Sequence, residues 1–171
     1  MRVYLAGPDV FFPDAMAQAA RKKALVISAG HVPLFPLDAV LDVEFEHDPK
    51  PLIAEAIFAS NIALIESADA VLANLTPFRG PSADAGTIWE AGYAHGRGKR
   101  VLGYSNVVSK FADRARAHIA LVPDGLDIED FELPSDNLMI HFALAGFFAH
   151  EASAVGRWND LTSFEAALAA L

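Results

Sequence analysis

Asp84 and Glu90 lie six residues apart within the run Asp69 to Ala94, DAVLANLTPFRGPSADAGTIWEAGYA. Two carboxylates can divide a bond cleavage between them, one ionised to stabilise or attack an electron-poor carbon and one acid to protonate the leaving group. Their position favours such work. Ala70 to Leu75 is an apolar stretch of the kind found in strands covered on both faces, and Thr76 to Ser82, with two prolines and a glycine, is an irregular loop. A helix follows. The pair therefore stands at a loop-helix junction beyond the carboxyl end of a strand, where open parallel sheets bind ligands. Asp84 also suits capping of that helix, a role compatible with catalysis. At helical spacing from Glu90 stand Gly86, Thr87, Tyr93 and Ala94, none a cation, so no salt bridge accounts for it. Its other reading is an ordinary solvated glutamate.

A second loop, Gly7-Pro8-Asp9-Val10-Phe11-Phe12-Pro13, lies directly beyond the first strand. Gly7 permits close backbone approach, and Phe11 or Phe12 can wall a flat ring, although either also suits a core. Tyr4, on the first strand, can donate a hydrogen bond to a carboxylate of the adjacent helix; core packing is its other use. There is no GxxxxGKS/T phosphate loop, GxGxxG turn, GxSxG elbow or HExxH pair. The GRGKR run from Gly96 to Arg100 ends a helix and starts a strand, and helix carboxyl ends repel anions. The six histidines are scattered, none at metal-ligand spacing, so no metal is expected.

The elements that must hold these groups alternate. Strands are expected at Arg2 to Ala6, His31 to Phe35, Asp69 to Leu75 and Arg100 to Tyr104. Helices are expected at Asp14 to Ala29, with Asp14 as cap and Gly30 as stop, at Leu52 to Ser67, and at Asp84 to Gly96. The polar stretch from Leu37 to Pro51, carrying Asp38, Asp42, Glu44, Glu46 and Asp48, reads as a loop. Further on, helices are expected at Ser109 to Ile119, Asp136 to His150 and Leu161 to Leu171, with an extended piece near Leu126 to Leu133. This order implies an α/β, flavodoxin-like (Rossmann-like) open parallel sheet of about five strands with helices on both faces, the fifth strand unplaced.

The chain has 171 residues, 53% of them hydrophobic and 20% charged, which suits one domain spanning 1–171 and is far from disorder. The net charge of −9, with basic clusters only at Arg21-Lys22-Lys23 and Arg97 to Arg100, argues against nucleic acid as a partner. Absence of cysteine is compatible with a reducing cytoplasm. The amino terminus runs straight into a strand, as no signal peptide does, and the longest apolar stretch, Leu138 to Ala149, is too short to cross a membrane of about 30 Å. A soluble, cytoplasmic protein without membrane partners is the expectation.

With those residues in view, the chain resembles the nucleoside 2-deoxyribosyltransferase family. The resemblance is carried by YLAGPDVF at Tyr4 to Phe11, DAVLANLTPFRG at Asp69 to Gly80, DAGTIWEAGYA at Asp84 to Ala94, and SDNLMI at Ser135 to Ile140. It implies a cofactor-free, flavodoxin-like enzyme that exchanges the base of a 2′-deoxynucleoside and assembles as a homodimer or higher oligomer. It further implies that Glu90 is the nucleophile, Tyr4 orients it, and Asp84 relays a proton to the base. Asn137 and Met139 would approach the sugar 5′-hydroxyl in a neighbouring subunit's site. Gly7, Phe11, Phe12, Phe78, Arg79 and Gly86 join them as substrate-binding candidates. Some relatives carry an additional aspartate before the third strand where Asn61 stands here; an amide can hydrogen-bond a base but cannot protonate one.

The chemistry agrees. Cleaving an N-glycosidic bond needs charge stabilisation at an oxocarbenium-like C1′ and a proton for the departing base, which Glu90 and Asp84 can supply. The substrates implied are 2′-deoxynucleosides and free nucleobases. Two alternatives stand beside this reading: a hydrolase of 2′-deoxynucleoside 5′-monophosphates, and a non-catalytic nucleotide-binding module. SDNLMI offers mainly an amide and apolar groups, which favours an uncharged hydroxyl over a phosphate.

Overall fold

The computed structural model describes residues 1–38, 41 and 43–171, so Asp42 of the expected polar loop lies outside the described residues. Five strands form one parallel sheet: β1 (Arg2–Ala6), β2 (Val32–Leu34), β3 (Ala70–Asn74), β4 (Arg100–Ser105) and β5 (Gly146–Ala149). Their order is β2-β1-β3-β4-β5, the flavodoxin-like arrangement. The helices are α1 (Ala15–Ser28), α2 (Lys50–Ser67), α3 (Ala85–Gly96), α4 (Phe111–Leu121), α5 (Leu138–His141) and α6 (Thr162–Ala169). Short 3-10 turns occupy Pro8–Phe11 and Pro36–Asp38.

The two-residue period of the strands sorts the core into two layers. Val3, Leu5, Leu72 and Leu102 pack with Ala19 and Val26 of α1 and Phe164 and Leu168 of α6. Tyr4, Ala6, Val71, Ala73 and Val101 point the other way, onto Ile65 of α2 and Ala91 and Ala94 of α3. This alternation decides which layer receives the Tyr4 phenol. β3 is buried along its whole length, as its unbroken apolar run requires of a central strand. Gly30, at φ 81, ends α1 as expected, while Asp14 stands at the cap position without a capping hydrogen bond among the described residues.

Two expectations are corrected. The apolar segment read as a helix from Asp136 to His150 is the short α5 followed by β5, which is the missing fifth strand. From Phe142 to Ala149 the segment is unbroken by a polar side chain and carries no period to separate helix from strand. The open edge of β4 decides, through a register from Leu102↔Gly146 to Ser105↔Ala149 and through Ala145 N–H donating to the Val101 carbonyl at 2.7 Å. The extended piece expected near Leu126 to Leu133 is irregular and pairs with no strand among the described residues. Among those residues, no helix is long and apolar enough to cross a membrane.

Leu72 is 0% exposed at the centre of β3. Leu72→Ala should lower unfolding free energy by about 2–5 kcal/mol with an unchanged denaturant slope, as read by urea titration. A loss below about 1 kcal/mol would contradict the central placement of this strand.

Candidate active site

The loop after β3 delivers Asp84 to the amino end of α3, where its Oδ2 accepts hydrogen bonds from Thr87 N–H at 2.9 Å and Thr87 Oγ1 at 3.1 Å. Asp84 is therefore the helix cap, and it also lines a cavity. From this cap, Gly86, Thr87 and Glu90 follow on one helical face at i, i+1 and i+4, and all three line the same cavity. Ala91 and Ile88, further round the helix, pack into the core against the sheet. Gly86 leaves room for the cap: a Cβ there would stand 3.1 Å from Asp84 Oδ2.

The Tyr4 hydroxyl rises from β1 and donates to Glu90 Oε1 at 2.8 Å. Asn61 Nδ2, from α2, donates to the same oxygen at 3.4 Å, a long and weaker contact. Among the described residues both bonds end on Oε1, which leaves Oε2 uncommitted. Burial raises the Glu90 pKa from 4.5 to about 7, with the nearby Asp84 charge adding to the shift and the Tyr4 hydrogen bond opposing it. Burial and the Glu90 charge push the Tyr4 phenol far above its usual range, so it stays a proton donor.

The cavity measures about 460 Å³, within the range of small-molecule sites. Its walls are apolar, built by Val10 and Phe11 from the first loop, Leu37 and Phe45 beyond β2, and Ile57 from α2. Its polar groups are Ser60, Asn61, Asp84, Thr87 and Glu90; among the described lining residues there are two carboxylates and no cation. An ionisable carboxylate between a phenol and a second carboxylate, facing an apolar chamber, suits attack on an electron-poor carbon of a flat or ring-shaped ligand.

Glu90 and Asp84 thus line one cavity with Gly7, Phe11, Asn61 and Gly86, and Tyr4 meets Glu90 from outside that lining through its hydroxyl. Phe12 is turned away, 5.3 Å from the Trp158 ring, because the 3-10 turn ends at Phe11 and the chain leaves it extended at Phe12. Phe78 and Arg79 stand behind the wall: Phe78 stacks on Phe11 at 5.6 Å, and the Arg79 guanidinium lies 4.6 Å from the Phe78 ring. Asn137 and Met139 do not line the cavity of their own chain. Asn137 Oδ1 caps α5 by accepting from Met139 and Ile140 N–H, and Met139 is 75% exposed.

Sequence reasoning missed Ile57, which the four-residue spacing from Asn61 could have revealed, and Ser60, which stands three residues on from Ile57. It also missed Asp136. That carboxylate is 0% exposed and accepts from Ser82 Oγ at 2.7 Å, Ala83 N–H at 2.9 Å and Asn137 N–H at 2.9 Å. It fastens the loop immediately before Asp84. Arg114 reinforces the same junction, donating to the Pro81 and Ser135 carbonyls, each at 2.7 Å.

The raised Glu90 pKa has a stability signature. The folded protein holds this proton more tightly than the unfolded chain, so the contribution is fully present below the ordinary 4.5 and is lost as pH rises through about 7. Glu90→Gln is neutral throughout and escapes that loss. Its Tm relative to the unsubstituted protein should therefore climb between about pH 5 and about pH 8 by calorimetry, whereas a constant difference would contradict a desolvated carboxylate.

The family model described as Nucleoside 2-deoxyribosyltransferase matches residues 3–139. The solved 2-desoxiribosyltransferase from Leishmania mexicana is 32% identical, with 99% of this chain and 95% of that chain covered at a TM-score of 0.71. The 2-deoxyribosyltransferase of Bacillus psychrosaccharolyticus, 21% identical with 96% of each chain covered and a TM-score of 0.56, shares the fold. So does a CMP N-glycosidase of Clostridium botulinum, at 12% identity, full coverage of both chains and a TM-score of 0.52. An uncharacterized protein of Schizosaccharomyces pombe is 31% identical over 117 residues, 68% of this chain, which span about half of that relative, 55% of its length. With a match running from the strand that carries Tyr4 to the turn that carries Asn137, the chain belongs to the nucleoside 2-deoxyribosyltransferase family.

Proposed function

We propose that the protein exchanges the nucleobase of 2′-deoxynucleosides through a covalent deoxyribosyl ester on Glu90. The observation that carries this reading is the desolvated Glu90 carboxylate, held on Oε1 by Tyr4 at 2.8 Å and set with Asp84 in one apolar cavity. A carboxylate oxygen of Glu90 bonds to C1′ as the C1′–N bond breaks, and the electron pair leaves with the base, which takes a proton by way of Asp84. Thr87 engages Oδ2 of Asp84 and so leaves Oδ1 to the base. A nitrogen of the incoming base then attacks C1′, the ester C–O bond breaks with its electron pair returning to Glu90, and the N–H proton of that base passes back by way of Asp84. Two inversions give net retention and ping-pong kinetics. Apolar walls from Val10, Phe11 and Ile57 keep water from the ester, which favours transfer over hydrolysis.

The lining favours a free 5′-hydroxyl over a phosphate. Two carboxylates with no cation among the described lining residues repel a phosphate, which wants Arg or Lys. This weighs against the hydrolysis of nucleoside monophosphates as the principal activity.

A homo-oligomer is part of the proposal. Phe58 of α2 is 56% exposed and Trp89 of α3 is 48% exposed, with Trp89 stacked 5.3 Å from Tyr93. Beside them a hollow of about 390 Å³ opens onto Asn61 and Glu90. A second subunit would close this opening, and Asn137, whose Oδ1 is occupied as a cap, would present its Nδ2 to a neighbour's 5′-hydroxyl.

Incubation with one deoxynucleoside and a different free base, followed by chromatography, should yield the new nucleoside. Free base and deoxyribose alone would make the enzyme a hydrolase, and no turnover would favour a binding module. Glu90→Ala should stay folded and lose exchange by roughly 1000-fold or more. Because Glu90 must be ionised to attack, kcat/KM should fall on the acidic side with an apparent pKa near the carboxylate's value of about 7. An acidic limb near the ordinary carboxylate value would contradict the assignment.

A further inference from the structure

The basic run Arg21-Lys22-Lys23 does not act as one charged surface. Lys23 reaches outward to Asp38 at 2.6 Å, whereas Lys22 turns into the molecule and is 2% exposed. A buried ammonium is rare and costly unless paired. Lys22 Nζ donates to Asp9 Oδ1 at 2.5 Å and to the Tyr104 hydroxyl at 2.8 Å, and lies 5.5 Å from the Phe164 ring centroid. Asp9 and Tyr104 are themselves 3% and 2% exposed. Burial lowers the Lys22 pKa, opposed by the Asp9 charge.

These three groups tie α1 and β4 to the 3-10 turn Pro8–Phe11, and that turn carries two of the cavity walls, Val10 and Phe11. Its entry residue, Gly7, also lines the cavity. Asp9 Oδ2 lies only 2.4 Å from where a Cβ on Gly7 would stand, and Asn74 Cβ lies 2.9 Å from that point. Gly7 has an ordinary extended φ of 168°, so close approach by the Asp9 carboxylate, rather than its backbone angle, demands glycine here. The ammonium thus fixes a carboxylate, and the carboxylate is seated directly against the cavity-lining backbone.

We infer that Lys22 and Asp9 are positioning residues for the nucleoside, setting Gly7 and Phe11 at the distance from Glu90 that binding requires. This rests on the proposed deoxynucleoside site. Stability alone does not explain the pair, since buried ion pairs replaced by apolar residues of similar size often leave stability equal or greater. Placement does explain it, because displacement of a binding wall by about 1 Å can cost about 100-fold in rate.

The test is the double variant Asp9→Leu with Lys22→Met, which leaves no unpaired buried charge. Tm, calorimetric Kd for each of four common 2′-deoxynucleosides, and the kinetic constants of base exchange are measured beside the unsubstituted protein. The expected result is a folded protein whose Tm falls by no more than the lost Lys22–Tyr104 hydrogen bond accounts for, with Kd and KM raised about tenfold or more and the acidic pH limb of exchange unmoved. A folded double variant with unchanged Kd and KM overturns the inference and leaves the pair a purely structural one. If the double variant does not fold, Asp9→Asn is read instead, since it keeps the shape and weakens the anchor. Its Kd should rise about threefold or more, and an unchanged Kd overturns the inference equally. Failure of the unsubstituted protein to exchange bases while it binds deoxynucleosides would instead count against the proposed reaction, and the Kd comparison would still decide the role of Lys22 and Asp9.

Discussion

The contact between the Tyr4 hydroxyl and Glu90 Oε1 is the constraint on which the site depends. It joins a strand to a helix across 86 positions of sequence at 2.8 Å. The contact requires β1 to present Tyr4 on the α3 side of the sheet, a choice made by the two-residue period that places Val3 and Leu5 on the other side. It also requires α3 to start at Asp84, since moving the start by one residue would rotate Glu90 about 100° from the phenol. Burial disfavours the charge on Glu90, and the phenol returns part of that cost in a directed hydrogen bond. The result is a carboxylate poised near neutrality that keeps one oxygen uncommitted.

Around this pair the loops carry the walls and buried charged groups hold the loops. Asp136 secures Ser82 and Ala83 before Asp84, and Lys22 secures the turn behind Gly7 and Phe11 through Asp9. Both anchors are fully inside the molecule, where solvent screening is weak and geometry is sharply defined. The site faces the carboxyl ends of β1 and β3, the strands flanking the change of direction in the sheet order, where such folds form their crevice. Phe78 and Arg79 extend the same design outward as a stack behind Phe11.

Much of this was legible in the sequence, and each omission has a physical cause. Strands β1 to β4 and helices α1 to α3 follow from apolar period and turn residues, and Asp84 and Glu90 stand out because a short loop brings them directly after the central strand. Tyr4 was legible as a donor because a strand residue facing a helix has few other polar partners. β5 was not, since an all-apolar run carries no period and only the open edge of β4 selects strand over helix. Phe11 and Phe12 were indistinguishable, because composition does not encode that the 3-10 turn ends between them. Lys22 read only as one member of a basic cluster because its partners, Asp9 and Tyr104, are brought to it by the fold. Asn137 resolves as a cap within its own chain, so the proposed contact with a neighbour's site has no counterpart inside a single subunit.

The central claim, that Glu90 attacks the sugar, is tested most directly by trapping the ester. The enzyme is incubated with a 2′-deoxy-2′-fluoro nucleoside, whose electron-withdrawing substituent slows both steps, then denatured, digested and read by mass spectrometry. The account predicts one added fluorodeoxyribosyl group on the peptide that contains Glu90, removed when a free base is supplied before denaturation. A sugar attached to any other residue, or turnover of this substrate in which no adduct forms on Glu90, would contradict it.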